Sequence, residues 1–194
     1  MQLLFQTAGI GYTDTMNSTD TLTAFDEFLS TRGLRLDAVV VGGTALNLLG
    51  IIERPTKDCD ILHPALSRDL IEAARDFATL LRAGQQVLAD DWLNNGPASL
   101  TQHLPSGWQS RLQQAFLGKA IRLQSLGRLD LIRVKVWALC DRGFDLADCL
   151  ALAPTKAELA AVLPWLEDQD ANPDWPIHCR ETVADLGKRL GHGV

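Results

Sequence analysis

The chain has little of what marks several protein classes. No run approaches about 18 consecutive apolar residues, so no segment reads as a membrane span. Only 8 prolines and 15 glycines punctuate the 194 residues, and hydrophobic residues reach 46%, which excludes a disordered or low-complexity chain. Basic residues are in the minority: 18 Lys and Arg against 24 Asp and Glu give a net charge of −6. A broad nucleic-acid surface is thereby disfavoured, because such surfaces neutralise many phosphates at once. The four cysteines, Cys59, Cys140, Cys149 and Cys179, include no C-x-x-C pair, and the histidines no H-x-x-x-H, so no zinc site is indicated. The opening MQLLFQTAGIGYTDT lacks a basic n-region, which leaves reduced thiols and a cytoplasmic location as the expectation.

What is present is unevenly distributed. Between Arg111 and Arg142 lie seven basic residues and two acids, a local +5 that leaves −11 for the remainder. Such an asymmetry can steer an anionic ligand to one face of an acidic protein, although a solvated helix face has the same composition.

Periodicity gives a coarse map. Leu22, Phe25, Phe28 and Leu29 form a helical stripe that stops at Gly33, and Leu36–Val41 reads as a buried strand because of its β-branched apolar run. A brief helix from Thr44 to about Leu49 and a strand from Asp58 to Leu62 follow. Ser67 is placed to cap a helix ending at Gly84; Val87–Leu88 suggests a short strand, and Asn94–Pro97 a loop. Strands are expected at Leu112–Phe116 and Ala120–Gln124, then a helix from Asp130, its cap, to Arg142. The last third is helical, with Thr155-x-x-Glu158 as a capping box and Pro164 as a kink or restart. Strands early and helices late imply an α+β architecture, a mixed β-sheet flanked by helices with a C-terminal helical region. The expected divisions are a flexible N-terminal arm over 1–18, an α+β core over 19–143 and the helical region over 144–194.

The chemistry concentrates in Val39-Val40-Val41-Gly42-Gly43-Thr44-Ala45-Leu46 and in Arg54-Pro55-Thr56-Lys57-Asp58-Cys59-Asp60. A strand ending in two glycines lets backbone approach a ligand closely. On the following strand alternate residues share a face, so Asp58 and Asp60 are expected to project together. Two adjacent carboxylates repel unless a cation sits between them, and a hard divalent ion that takes carboxylate and phosphate oxygens suits both needs.

Gly-Gly followed, after fourteen intervening residues, by Asp-x-Asp resembles the signature of the nucleotidyltransferase superfamily that includes DNA polymerase β. The wording G-G-T-A-L…R-x-T-x-D-x-D looks closest to the AbiE-type abortive-infection toxin nucleotidyltransferases and related bacterial proteins. A second block, Lys135-x-x-Ala138-x-x-x-Arg142-x-x-Asp145-x-x-Asp148, is similar to a segment of the same group. The resemblance implies a nucleotidyltransferase-like fold over about residues 36–150. It implies Asp58 and Asp60 as ligands of Mg²⁺ or Mn²⁺, and Gly42, Gly43, Thr44, Arg54, Lys57 and Arg142 as contacts to a nucleoside triphosphate. Lys135 is implied as the cation beside the leaving pyrophosphate. It further implies transfer to a hydroxyl of RNA or protein, and an antitoxin partner. The pattern departs from the superfamily in one respect: the strand Ala120–Gln124 carries no third carboxylate. Asp130 reads as a helix cap; the second block's resemblance to the toxin-type group implies Asp148 as a possible additional acid, with one-metal catalysis or an inactive fold as the alternatives.

Each feature also has a plainer reading. Gly42-Gly43 can be a tight turn, Asp58 and Asp60 solvated carboxylates, and Arg54 and Lys57 loop charges. Arg142, Asp145 and Asp148 can form an ion network joining two helices. The alternative function is correspondingly a nucleotide-binding or protein-interaction module on the same fold without catalysis.

Overall fold

The computed structural model describes residues 18–192. The arm expected over 1–18 lies outside them, except for Ser18, which opens the first helix. Seven α-helices and five strands follow among the described residues: α1 (Ser18–Thr31), β1 (Leu36–Val41), α2 (Gly42–Leu48), β2 (Cys59–His63), α3 (Arg68–Ala83), β3 (Leu93–Asn94), β4 (Gln113–Leu117), β5 (Ile121–Ser125), α4 (Arg128–Arg142), α5 (Leu146–Leu152), α6 (Lys156–Glu167) and α7 (Trp175–Arg189). The strands form one mixed sheet in the order β3-β2-β1-β5-β4. β1 runs antiparallel to β2 and parallel to β5, β2 parallel to β3, and β4 antiparallel to β5. The α+β architecture expected from the sequence is the one observed.

β1 is central, and its composition follows from having both faces covered. Ala38 and Val40 enter a core with α1 and α3, where Phe25 packs its ring 5.1 Å from Phe77 and 5.1 Å from Trp92. Val39 and Val41 enter a second core with Leu131 and Val134 of α4. A third core, under α4 to α7, takes Ile132, Val136 and Cys140 from other faces of α4. Helix α4 therefore serves two cores, and it carries Lys135, 7% exposed, between them.

Several local expectations give way to tertiary contacts. Val87–Leu88 is not a strand; the edge strand is Leu93–Asn94, which pairs Cys59 with Leu93 and Asp60 with Asn94. Helix α4 starts at Arg128, with Gly127 at its cap, and Asp130 is inside the first turn rather than capping it. The Asp130 carboxylate is fully buried and accepts from Arg111 Nε at 2.7 Å and Arg133 Nη1 at 2.7 Å, a clamp on the chain entering β4. Pro164 lies within an unbroken α6, whose Thr155 and Glu158 form the expected capping box. No helix among the described residues is long and apolar enough to cross a membrane.

Candidate functional site

The site is built where β1 runs out against β2. Gly42, the first residue after β1, has φ +70°, a left-handed conformation that glycine adopts without steric cost. A Cβ there would lie 2.7 Å from Asp60 Oδ2, so the glycine also makes room for the carboxylate. At Gly43 a Cβ would lie 2.8 Å from Thr56 Cγ2, and the pair is thus packed against the segment that carries the acids.

Asp60 is half-buried on β2, opposite Val41 on one side and Asn94 on the other. Burial pushes its pKa up, and the charge of Asp58 adds to that, while Asn94 and Lys135 pull the other way. Asp58 lies just before β2 and is exposed. The two carboxylates remain electrostatically coupled, and each belongs to a different hollow in the surface.

Asp60 shares a cleft of about 330 Å³ with Gly42, Leu100, Lys135, Arg142 and Asp145. Its cationic wall is held by ion pairs. Lys135 Nζ donates to Asp145 Oδ1 at 2.8 Å and to Asp148 Oδ2 at 2.6 Å. Arg54 donates to the remaining Asp148 oxygen at 2.7 Å, and Arg142 to Asp145 Oδ2 at 3.3 Å. Burial alone would lower the pKa of Lys135, but its two carboxylate partners outweigh burial and raise it. Burial likewise works against ionised Asp148, yet the hydrogen bonds from Arg54 and Lys135 hold its pKa below the usual carboxylate range. Three cations against two carboxylates leave the network at +1, with the Arg142 side chain 61% exposed. A network of this kind can position an anion in the cleft without holding an unpaired buried charge.

The structure thus brings Gly42, Asp60, Lys135 and Arg142 together in one cleft, with Asp148 ion-paired to Lys135 and Arg54 ion-paired to Asp148. Lys57 and Thr44 line the other hollow with Asp58. The Thr44 hydroxyl is engaged within the protein, donating to the Asp58 carbonyl at 2.6 Å. Asn94 was not singled out by sequence, because the Asn-Asn-Gly-Pro run reads as loop; only the pairing of β3 with β2 sets it beside Asp60. The strand expected to carry a third acid, β5, is separated from β2 by β1.

Asp58 and Asp60 supply hard oxygen donors; burial chiefly raises the pKa of Asp60, with the Asp58 charge adding to it, and a bound cation would offset both. Among the described residues no three His, Cys, Asp or Glu side chains gather into a metal cluster. An ion here would therefore complete its shell with phosphate and water oxygens, the arrangement that suits Mg²⁺.

A mixed sheet with a Gly-Gly exit from its central strand, set against an Asp-x-Asp strand, defines a nucleotidyltransferase-like protein. The chain belongs to a family described as nucleotidyltransferases of unknown function (DUF6036), whose profile matches residues 20–151. That span contains every site residue discussed above and stops before α6 and α7. No curated protein matches the chain. Among solved structures it is similar to an antigenic nucleotidyltransferase-like protein from Paracoccidioides brasiliensis, with 13% identity, 89% of this chain and 88% of that chain covered, and a TM-score of 0.45.

Proposed function

We propose that the protein is a Mg²⁺-dependent nucleotidyltransferase that moves a nucleotidyl group from a nucleoside triphosphate to an acceptor hydroxyl. One observation carries the reading: the half-buried Asp60 carboxylate, pressed against Gly42 and coupled to Asp58, lines the same cleft as the Lys135–Arg142 network. Asp58 and Asp60 would hold the ion, with Mn²⁺ as a substitute. When bound, it offsets phosphate charge and polarises the α-phosphate. The side-chain-free backbone of Gly42 and Gly43 admits the triphosphate, and Arg142 and Lys135 lie where negative charge grows on the leaving group. The acceptor oxygen forms a bond to the α-phosphorus as the bond to the β-phosphate's bridging oxygen breaks. Pyrophosphate leaves and the hydroxyl proton passes to solvent. Positioning and electrostatics supply the acceleration.

The toxin resemblance, which rests on the two sequence blocks, extends the proposal to an RNA or protein acceptor and an antitoxin partner. A second reading, a binding module without transfer, is favoured by one observation: no third carboxylate joins Asp58 and Asp60 among the described residues.

Calorimetric titration with nucleoside triphosphates and Mg²⁺ tests the site. Binding is expected for the parent and a loss of its Mg²⁺ dependence for Asp58→Asn/Asp60→Asn; a parent that binds no triphosphate sinks both readings. Transfer of label from α-labelled triphosphate to RNA or protein separates the enzyme from the module.

A further inference from the structure

A second hollow, about 350 Å³, opens beside the acidic pair and has a different character from the cationic cleft. Lys57 and Asp58 give it one charged side, while Leu22, Val87, Leu88 and Trp92 make the rest of its wall mostly apolar. Its size lies in the range of small-molecule sites.

Its polar part is a row of hydroxyls whose direction follows from proton counting. Thr44 Oγ1 gives its single proton to the Asp58 carbonyl at 2.6 Å. Thr56 must then be the donor in the 2.8 Å contact with Thr44, and Ser18 the donor in the 2.6 Å contact with Thr56. Among the described residues the row therefore ends at Ser18 Oγ, which keeps acceptor capacity and lines the hollow with Thr21 and Leu22. Mostly apolar walls with a hydroxyl acceptor suit a flat, N–H-bearing ring and a ribose better than they suit phosphate.

The order of groups along a nucleoside triphosphate matches the order of features here. Its terminal phosphates require cations, which Lys135 and Arg142 provide in the first cleft. Its α-phosphate belongs at Asp60 and Asp58, one lining each hollow, two residues or about 7 Å apart along an extended chain. The nucleoside, attached beyond the α-phosphate, is then directed to the Asp58 side. Building on the nucleotidyl-transfer reading, we propose that this second hollow is the nucleoside subsite, receiving the base and ribose of the triphosphate.

The test uses the full chain and two probes, Mg²⁺ with a nucleoside triphosphate and Mg²⁺ with inorganic tripolyphosphate. Val87 is 64% exposed and lines the hollow, so Val87→Trp adds bulk there without entering the core. Val87→Trp is expected to weaken nucleoside triphosphate binding about tenfold or more and to leave tripolyphosphate binding unchanged. Ser18→Ala, which removes the acceptor, is expected to act in the same direction with a smaller loss. The subsite is overturned if parent and variants bind both probes alike, or if the parent binds the nucleoside triphosphate no more tightly than tripolyphosphate. It is also overturned if Val87→Trp retains triphosphate binding and loses only transfer, which would make the hollow an acceptor site. In each of these outcomes the cationic cleft still binds phosphate. A parent that binds neither probe refutes the nucleotidyl-transfer reading itself.

Discussion

Replacing Lys135 by Met keeps the length of the side chain and removes the charge. In the parent the ammonium group, almost fully buried, joins Asp145 and Asp148 at 2.8 and 2.6 Å. Removing one partner of a buried pair leaves charge uncompensated and costs about 3–5 kcal/mol. Each carboxylate keeps a second partner, Arg142 at 3.3 Å for Asp145 and Arg54 at 2.7 Å for Asp148. The expected loss therefore lies at the lower end, about 3 kcal/mol. For a chain of this size that is a fall in Tm of about 6–12 °C, measurable by calorimetry and by the urea midpoint. The pairing adds a second condition. Asp148→Asn in the Lys135→Met background relieves part of the strain, so the double variant is more stable than the sum of the single losses predicts. A Lys135→Met variant within about 1 kcal/mol of the parent would refute the buried network, as would strict additivity with Asp148→Asn.

Asp60 has a raised pKa in the folded protein, so its contribution to stability is present below the unfolded value, 3.8, and is lost as pH rises through the folded one. Asp60→Asn is accordingly expected to raise Tm at pH 7, with the gain shrinking as pH falls toward 4; an unchanged Tm at pH 7 contradicts the penalty that burial and the Asp58 charge place on the ionised carboxylate. Gly42→Ala should cost about 2 kcal/mol from the left-handed backbone and from displacement of Asp60, and should also blunt any Mg²⁺-induced rise in Tm. Gly50→Ala is its control: φ there is +68° with nothing near the added Cβ, so only the backbone penalty should appear in a urea melt and the Mg²⁺ response should survive. Glu158 is held at a pKa of about 2, chiefly by the hydrogen bond from Arg128, so its contribution is present above 4.5 and lost as pH falls to about 2. Glu158→Gln, at a partly exposed pair, should cost about 1 kcal/mol at pH 7, and that deficit should vanish across the same window in acid titrations followed by circular dichroism.

The basic segment shows how far composition reaches. Its local charge of +5 is real, but folding answers most of it from elsewhere in the chain. Lys119 is bound by Glu27, Arg128 by Glu158, and Lys135 and Arg142 by Asp145, while Arg111 and Arg133 share Asp130, an acid the segment's own sum already contains. The cationic feature left at the cleft is the exposed Arg142 beside the paired Lys135. Opposite charges distant in sequence were invisible to a window sum, because the partners meet only after the sheet and helices are assembled.

Sequence alone determined the elements whose causes are local. The β-branched run of β1, the apolar stripe of α1, the Ser67 cap of α3, the Thr155–Glu158 capping box and the Gly-Gly exit before Asp-x-Asp all depend on neighbours within a few residues. Only the tertiary structure decided what long-range pairing controls. Edge strand β3 has two residues, too short for any periodic signal, yet its register sets Asn94 against Asp60. Asp130 has the position of a cap by sequence but is drawn into an arginine clamp because Arg111 arrives from another loop. Asp58 and Asp60 line two different hollows because α1 and the segment after α3 pack beside one and α4 beside the other, and those elements are far from both acids in sequence.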